Sequence, residues 1–486
     1  MKSMQRNIKR GLGIILVLFL ILGIYLCYAL FFYGDRWFAN SYNSRVRMDG
    51  WQPKIIPGDI LDRNGNILAT TKETKEKNPK TGEMQTYYYR SYCNGSEKAR
   101  SIAHVVGFHD PKLGRSGVEA FYIKYLMGYN NSFLERIYQK ALLPQERGND
   151  VILTIDFQLQ QYIDDIMGKY NGAVVVLNAH TGEILTMVSH PTYNPNKLSE
   201  KMEGDKLYNR VTNGLYPPGS IFKIITAVSA LENIEGIMEK EFLCDGKLDL
   251  SGEIIPCFNG EKHGNINLSK AMSYSCNTAF AQLGVDLGRN NLVKTAESFG
   301  FNQDFLFKDI KVAASRIPLK SSASSGKLGW TAIGQGDVLV TPMHMAMIGA
   351  AIANDGIMME PKLLKQVIGR NDKIIKDFEP KQFRRVTSIE NAKIIQNMLK
   401  GVVEEGTGKT AKIAGVSIAG KTGTAEKQGE NGEWKNNAWF IGFAPVEEPR
   451  LSIAIVLENL PEGQTGGTAA APLAAKILKK AIELGY

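Results

Sequence analysis

The stretch around which this chain is organised reads Tyr216-Pro217-Pro218-Gly219-Ser220-Ile221-Phe222-Lys223 and places a hydroxyl and an amine one helical turn apart. Because the two prolines cannot extend a helix backwards, they predict that one begins beside Ser220. The residues that follow are apolar almost all round the helix: Ile221, Phe222, Ile224, Ile225, Ala227, Val228 and Leu231. A helix with this pattern is expected to be buried.

Ser220 and Lys223 are a candidate pair of nucleophile and general base. A serine hydroxyl is a weak nucleophile at neutral pH and needs a neighbour that takes its proton. At i, i+3 both side chains lie on one face of a helix, and burial would lower the pKa of the lysine toward a useful range. The free N–H groups at a helix start favour charge on a bound oxyanion. A lone Ser-x-x-Lys pattern is also a frequent accident, so this interpretation depends on partners elsewhere.

Length and composition predict a globular protein of about three domains, because the 486 residues are 44% hydrophobic and 22% charged. The formal charge of +9 comes from dispersed Lys and Arg. It favours an anionic envelope polymer or lipid as partner and argues against nucleic acid. The five cysteines form no C-x-x-C pair and the six histidines show no ligand spacing, so we expect no structural zinc.

A membrane anchor is predicted at residues 11–34, which contain no charged residue and no proline. At about 1.5 Å per residue this run is long enough to cross a hydrocarbon core of about 30 Å. Four basic residues lie in the preceding tail, residues 1–10, and predict that this tail is cytoplasmic and the rest exported: Lys2, Arg6, Lys9 and Arg10. The alternative is a cleaved signal peptide, but the run is longer than usual and no A-x-A site follows it.

Two regions follow the anchor. Residues 35–147 predict a small pedestal domain for spacing and protein contact, with two short strands about an Asn64-Gly65 turn and a polar, exposed excursion at 71–100. Residues 148–486 predict the main domain, with a helix at 158–169, a hairpin of strands 173–177 and 184–188, and helices from Ser220 into the 290s and again after 342. Further strands are expected at 416–419, 438–443 and 451–457, and a helix at 469–484. Strands at both ends with helices between them indicate an α+β architecture.

A second candidate motif is Ser275-Cys276-Asn277, polar residues inside an otherwise apolar helical segment. The Ser275 hydroxyl can relay a proton toward a leaving amine, and the Asn277 amide can bond a peptide-like substrate on two sides. Alone, Ser-x-Asn is more often a cap or a turn.

The third motif is Lys421-Thr422-Gly423-Thr424, expected at the end of the strand 416–419. Lys421 supplies fixed charge, Thr422 and Thr424 can bind a substrate carboxylate, and Gly423 lets another chain approach closely. The N–H groups of Thr424 and Ser220 are candidates for an oxyanion hole.

One alternative is a nucleotide-binding P-loop, since residues 415–422 match G-x-x-x-x-G-K-[ST]. That motif needs a loop between its glycines and a helix beginning at the lysine. Here the intervening residues alternate as in a strand, and a turn is expected at 428–432 rather than a helix. The predicted export also places this region away from cytoplasmic ATP.

Ser-x-x-Lys, Ser-x-Asn and Lys-Thr-Gly in this order are the motifs of penicillin-binding proteins and serine β-lactamases. The chain resembles a monofunctional class B penicillin-binding protein over almost its whole length, including the anchor, residues 62–65 and Gly334-Gln335-Gly336. The resemblance implies that fold: a transpeptidase domain with an antiparallel sheet and a helical subdomain. It also implies a peptidoglycan D,D-transpeptidase that needs no cofactor and no metal.

By this resemblance, Ser220 is acylated by the D-alanyl-D-alanine end of a peptidoglycan stem peptide, and a second stem's amine then takes the acyl group. Lys223 is implied as the base, Ser275 and Lys421 as assistants in proton transfer, and the remaining motif residues as substrate-binding groups: Asn277, Thr422, Gly423 and Thr424. β-Lactams are implied as covalent inhibitors at Ser220, and a membrane glycan polymerase as a partner.

Two positions depart from the pattern: Pro57 stands where relatives usually carry arginine, and Cys276 adds a thiol to the second motif. Cys244 and Cys257 flank a short loop and are open to two states, a disulfide or free thiols.

The alternative function is a membrane-anchored β-lactamase or β-lactam sensor of the same fold, which would deacylate with water. The sequence shows no added carboxylate beside a motif, and a secreted lactamase would not need residues 35–147. A non-enzymatic scaffold would be expected to have a damaged motif, whereas all three are intact.

Overall fold

The computed structural model describes residues 2–38, 55–77, 82–110, 113–129, 146–199, 204–307, 309–318, 322–369, 372–428 and 433–486. The predicted turn at 428–432 lies almost wholly outside these residues.

The chain begins with a long helix, Lys2–Phe38. Its segment Lys9–Leu26 has a mean hydropathy of 2.0 and is long and apolar enough to cross a membrane. The large apolar side chains from Leu12 to Leu26 are exposed, and none of the other described residues buries them. An apolar helix of this length that the described part of the protein leaves uncovered indicates a single-pass membrane protein.

A six-stranded sheet follows, in the order Ile374–Asp377, Leu364–Ile368, Asp150–Leu153, Ile60–Leu61, Ile67–Lys77 and Met84–Tyr92. The predicted hairpin about Asn64-Gly65 is confirmed, since Ile60 pairs with Ala69. The exposed excursion expected at 71–100 is largely exposed up to Lys77, and it is regular structure there: these residues form a long antiparallel ladder with Met84–Tyr92. Polar side chains suit these strands because most of Ile67–Lys77 faces solvent. The sheet joins strands from both sides of the predicted boundary at 147/148.

The centre of the protein is a five-stranded antiparallel sheet, in the order Ile184–His190, Gly172–Asn178, Leu451–Leu460, Trp434–Ala444 and Ala419–Gln428. Both of its faces are covered, so alternate residues of one strand enter different cores. Val174 and Val176 pack in the core that includes the helices Phe157–Met167 and Ala471–Glu483. Ala173 and Val175 pack in the larger core, which includes Pro342–Ala353. The predicted hairpin and the two C-terminal strands are confirmed.

The helical part lies in the larger core and comprises Lys223–Asn233, Leu268–Ser273, Asn277–Ser298, Ser325–Ala332, Pro342–Ala353 and Ile389–Glu404. We predicted helices from Ser220 into the 290s, and this was wrong between the helices Lys223–Asn233 and Leu268–Ser273. Two small antiparallel sheets lie between them: Glu241–Cys244 with Gly264–Asn267, and Lys247–Leu250 with Glu253–Pro256. We call residues 241–267 the flap. Its four-residue strands carry apolar residues at exposed as well as buried positions, Leu243 and Ile254 among the exposed ones, so apolar and polar residues do not alternate as in a typical half-buried strand.

The remaining elements are short. The helices are Ala99–Val106, Gly117–Phe121, Ile123–Leu126, Gly204–Leu207 and Arg210–Asn213. The paired strands are Ile55–Ile56 with Glu146–Arg147, His109–Asp110 with Gly114–Arg115, Phe305–Leu306 with Lys311–Val312, and Ile357–Met359 with Gln382–Arg385. The single-turn elements are Cys93–Gly95, Gly219–Phe222, Phe258–Gly260, Lys409–Ala411 and Gly466–Ala470.

Candidate active site

The first motif forms a tight turn at the start of a buried helix, as predicted. Gly219–Phe222 is a single 3₁₀ turn that continues directly into Lys223–Asn233. Gly219 has φ +55°, and a Cβ there would lie 2.7 Å from the carbonyl oxygen of Thr424. Only glycine satisfies both the left-handed backbone and this close approach. Ser220 is therefore held partly exposed beside the strand that carries the third motif.

Lys223 is fully buried and its ammonium nitrogen contacts the second motif. Nζ donates to the Ser275 carbonyl oxygen at 2.6 Å and to Asn277 Oδ1 at 2.7 Å, and it lies 3.2 Å from Ser275 Oγ. A neutral amine has two hydrogens and one lone pair, so the two shortest contacts use its hydrogens. The lone pair then remains available to accept a proton from a hydroxyl.

The second motif lies in a sharp connection between the helices Leu268–Ser273 and Asn277–Ser298. Ser275 has φ +56°, a conformation that non-glycine residues rarely adopt. The strained turn points the Ser275 carbonyl oxygen and hydroxyl at Lys223. Asn277 is fixed at its other end, because its Nδ2 donates to the Pro256 carbonyl oxygen at 2.8 Å. Backbone strain of this kind is concentrated at functional sites.

The third motif lies within the edge strand of the five-stranded sheet. We predicted the motif at the end of a strand at 416–419, which was wrong: the strand runs Ala419–Gln428 and carries Lys421 to Thr424 in its interior. Lys421 is fully buried, and its Nζ donates to the Thr422 carbonyl oxygen at 3.1 Å. Because the lysine belongs to a strand and begins no helix, the P-loop alternative is excluded.

This edge strand packs directly on the nucleophile turn. A Cβ on Gly423 would lie 2.9 Å from the Pro218 carbonyl oxygen, so a larger residue would push the two segments apart. The neighbouring strand also contacts the turn, because buried Trp439 donates from Nε1 to the Pro217 carbonyl oxygen at 3.1 Å. The Thr424 hydroxyl accepts from the Gly466 N–H at 3.2 Å. Residues more than two hundred positions apart thus meet around Ser220.

The two buried lysines have strongly lowered pKa values. Burial removes water from the ammonium of Lys223 and lowers its pKa to about 7, although nearby Cys276 and Cys257 oppose this shift. Burial, and then repulsion by Lys223, hold the pKa of Lys421 well below its usual 10.5. Two adjacent lysines in one dry site disfavour double protonation. Lys223 is therefore matched to general-base work at neutral pH.

Comparison with known proteins identifies the family to which this chain belongs. A family model for the penicillin binding protein transpeptidase domain matches residues 172–479. The chain is 32% identical to the peptidoglycan D,D-transpeptidase PbpA of Mycolicibacterium smegmatis, with 99% of this chain and 100% of that protein covered. This chain belongs to the penicillin-binding protein transpeptidase family. It is also 30% identical to stage V sporulation protein D of Bacillus subtilis, covering 98% of this chain and 86% of that protein.

The fold agrees with this family. A ceftriaxone acyl-enzyme complex of penicillin-binding protein A from M. tuberculosis superimposes with a TM-score of 0.79 at 30% identity. The match covers 88% of this chain and 99% of that one. The predicted class, a class B penicillin-binding protein with an α+β transpeptidase fold, is thereby confirmed.

Sequence reasoning missed Thr407, which links the second and third motifs of this family member. Its N–H donates to the Ser273 carbonyl oxygen at 3.2 Å, and its hydroxyl lies 2.6 Å from that of Thr422. Thr407 thus positions a predicted substrate-binding hydroxyl. The only local signal is its place between two glycines, Gly406 and Gly408.

A second missed group supports the entry to the nucleophile turn. The Tyr216 hydroxyl donates to Glu458, which also accepts from Arg210 Nε at 2.9 Å. Burial, followed by the charge of Glu458, raises the pKa of Tyr216, so this phenol remains a donor at neutral pH. The Tyr216 ring also packs edge-on against Trp439, with centroids 6.0 Å apart.

The cysteines beside the site are free thiols. Cys244 Sγ and Cys257 Sγ lie 3.6 Å apart, well beyond a bonded distance of about 2.05 Å. Of the two states left open by the sequence, the structure has the free thiols. It also brings Cys276 and His263 to the same place, so four ligand-type side chains meet. The expectation of no zinc rested on spacing along the chain, which does not detect donors that the fold brings together.

Proposed function

We propose that this chain is a peptidoglycan D,D-transpeptidase that crosslinks stem peptides through an acyl-enzyme at Ser220. The observation that carries the proposal is the fully buried amine of Lys223, held by Ser275 and Asn277 at the start of the helix that bears Ser220. The β-lactam acyl-enzyme known for penicillin-binding protein A of M. tuberculosis supports the same chemistry here.

In the first half-reaction, Ser220 Oγ attacks the carbonyl carbon between the two D-alanines while neutral Lys223 accepts the hydroxyl proton. The N–H groups of Ser220 and Thr424 stabilise the tetrahedral oxyanion. The C–N bond then breaks, and Ser275 relays the proton that Lys223 accepted to the departing amine of the terminal D-alanine, which returns Lys223 to its neutral form. The products are an ester on Ser220 and free D-alanine.

In the second half-reaction, an amine of another stem peptide attacks this ester. Neutral Lys223 takes the proton from the attacking amine. The bond between the acyl carbon and Ser220 Oγ then breaks, and the proton passes to Ser220 Oγ. The hydroxyls of Thr422 and Thr424 and the backbone at Gly423 bind the substrate alongside the edge strand, while Asn277 bonds its amide. No proton or charge is left over after the two half-reactions, and the groups that transfer the protons belong to this chain.

The experiment is acylation of the full-length protein in detergent by a fluorescent penicillin. Native protein is expected to form a long-lived adduct on the peptide that contains Ser220, and Ser220→Ala is expected to form none. Ser229→Ala is the matched control, because Ser229 is buried in the same helix away from its start. An adduct on Ser220→Ala would overturn the proposal. Rapid hydrolysis of the adduct would favour the β-lactamase alternative.

The topology proposed for the membrane is a cytoplasmic tail at 1–10, an anchor at 11–34, a pedestal at 35–147 and an exported transpeptidase domain at 148–486. The basic residues before the apolar run support this orientation. A membrane glycan polymerase is the proposed partner, because residues 35–147 are too few and too polar for a polymerising domain of their own. Protease added outside spheroplasts should digest the region after 34 and spare an N-terminal tag. Digestion of the tag instead would refute the orientation.

A further inference from the structure

A cluster of thiols and an imidazole lies directly behind the second motif. It comprises Cys244, Cys257, His263 and Cys276, whose ligand atoms all lie within 4.8 Å of one another. Cys244, Cys257 and Cys276 are buried, and the His263 side chain is only 10% exposed. Three thiols and an imidazole are among the donor sets that bind structural zinc in proteins.

The spacing of the donor atoms fits a tetrahedral ion. With Zn–S near 2.3 Å and Zn–N near 2.05 Å, tetrahedral ligands lie about 3.8 Å apart for two sulfurs and about 3.6 Å for sulfur and nitrogen. Cys257 Sγ lies 3.6 Å from Cys244 Sγ and 3.8 Å from Cys276 Sγ. His263 Nδ1 lies 3.2 Å from Cys244 Sγ and 3.8 Å from Cys257 Sγ. Three of these four distances lie within about 0.2 Å of the tetrahedral values, the distance from His263 to Cys244 is about 0.4 Å short, and the two remaining edges, from Cys276 to Cys244 and to His263, are at most 4.8 Å.

The surroundings of His263 also suit a ligand. Its Nδ1 faces the sulfurs. Its Nε2 is buried, has no hydrogen-bond partner among the described residues and lies 3.6 Å from a carboxylate oxygen of Glu261, beyond hydrogen-bond distance. A metal-bound histidine usually donates from its second ring nitrogen to a carboxylate, and Glu261 is the carboxylate next to this nitrogen. The imidazole also stacks on Tyr274, with an interplanar angle of 6° and centroids 5.7 Å apart. The ring is therefore packed against Tyr274, and its buried Nε2 is left without a partner.

The cluster connects the flap to the active site. Cys244, Cys257 and His263 belong to the flap, whereas Cys276 is the central residue of Ser275-Cys276-Asn277. Asn277 already bonds the flap through the Pro256 carbonyl oxygen, the residue before Cys257. The same asparagine and Ser275 hold the amine of Lys223. Anything that binds the four donors therefore fixes the two residues that position the general base.

We propose that Cys244, Cys257, His263 and Cys276 bind one Zn²⁺ ion that locks the flap to the second motif and so positions Ser275 and Asn277 against Lys223. The thiols give up their protons on binding, and the neutral imidazole donates its Nδ1 lone pair. The ion has a structural role and touches no reacting atom. The effect of the ion on catalysis rests on the proposed function, whereas the binding of the ion to the four residues does not.

The first test measures metal directly. Full-length protein is purified in detergent through a tag that binds no metal, and zinc is counted by plasma mass spectrometry. Native protein is expected to hold about one Zn²⁺ per chain, and His263→Ala and Cys244→Ser are expected to lose it. Cys93→Ser is the matched control, because Cys93 is a buried cysteine outside the cluster. It is expected to retain the ion.

A second readout does not depend on the folding of a variant. Native protein stripped with dipicolinate and loaded with Co²⁺ should show the thiolate-to-metal charge-transfer band and the intense d–d bands of a tetrahedral sulfur site. Absence of both zinc and this spectrum from native protein would overturn the proposal. So would a disulfide between Cys244 and Cys257 in protein extracted from membranes with its thiols blocked by N-ethylmaleimide.

The positioning role is tested separately with the fluorescent penicillin. The penicillin is expected to acylate metal-stripped native protein about tenfold more slowly, because losing the groups that support a metal site typically costs about tenfold or more. Adding Zn²⁺, but not Mg²⁺, should restore the rate. An unchanged rate would refute the positioning role. Zinc in a protein that no penicillin labels at Ser220 would instead refute the proposed function and leave the metal site standing, so the two failures are distinguishable.

Discussion

Replacing Asn277 by aspartate places a negative charge where Lys223 now meets a neutral amide oxygen, at 2.7 Å. In the native protein the pKa of Lys223 is lowered to about 7, so the lysine is neutral, and able to accept a proton, above that pH. Acylation of native protein should therefore rise about tenfold per pH unit below 7 and level off above it. The other charged or titratable groups that act on this amine, Lys421, Cys257 and Cys276, are unchanged in the variant.

A carboxylate this close favours the protonated lysine and raises its pKa by about 1 to 3 units. At pH 7 the neutral fraction then falls from about one half to between about 9% and 0.1%, so acylation slows by about 5-fold to 500-fold. The part of the loss that comes from protonated Lys223 should disappear as the pH rises by the same 1 to 3 units, because the base itself is intact. A lower plateau should remain, because aspartate cannot donate the hydrogen bond that Asn277 Nδ2 makes to the Pro256 carbonyl oxygen.

The assay is stopped-flow acylation by a fluorescent penicillin between pH 5.5 and pH 10, a range that brackets the shift of about 1 to 3 units. The matched control is Asn290→Asp, the same chemical change at an exposed position of the same helix. It should follow the native profile. A variant at 277 with a lower plateau and an unmoved midpoint would refute the assignment of Lys223 as the base.

Two further predictions concern support of the site and of the fold. Thr407→Val removes the hydroxyl that orients Thr422 and is expected to raise the half-saturating penicillin concentration about fivefold, equivalent to about 1 kcal/mol, with an unchanged maximal rate; saturation kinetics check this. A fall in the maximal rate alone would contradict it. Glu119→Gln removes the buried negative charge beside the guanidinium of Arg90 and is expected to lower the free energy of unfolding by about 3 to 5 kcal/mol in urea titrations. Glu97→Gln, in an exposed ion pair, is its control and should leave the urea midpoint unchanged; equal effects would contradict the reasoning.

Local features of the fold were predictable where the signal lies within a few consecutive residues. Prolines before Ser220 and an apolar run after it correctly predicted a buried helix that begins there. Alternating or continuous apolar runs predicted the hairpin at 173–188 and the two C-terminal strands, because those strands are covered by the cores. The flap strands escaped prediction because they are only four residues long and place apolar residues such as Leu243 and Ile254 at exposed positions, so apolar and polar residues do not alternate.

The third motif shows the limit of a local pattern. Alternation at 416–419 indicated a strand that ends at Lys421, yet the strand begins at Ala419 and continues to Gln428. Polar residues with two glycines have weak strand propensity, and it is pairing with Trp434–Ala444 that holds them in the sheet. Tertiary context overrode propensity here.

By itself, the sequence determined which chemical groups this protein has: a serine and a lysine one turn apart, two further motifs in order, and an apolar segment before them. Only the tertiary structure decided what those groups meet. It buried both lysines together, which lowers their pKa values, and it brought Thr407 to Thr422. It also collected three thiols and an imidazole from four separate positions behind the second motif. Such contacts depend on strand pairing and helix packing between distant segments, and no spacing along the chain encodes them.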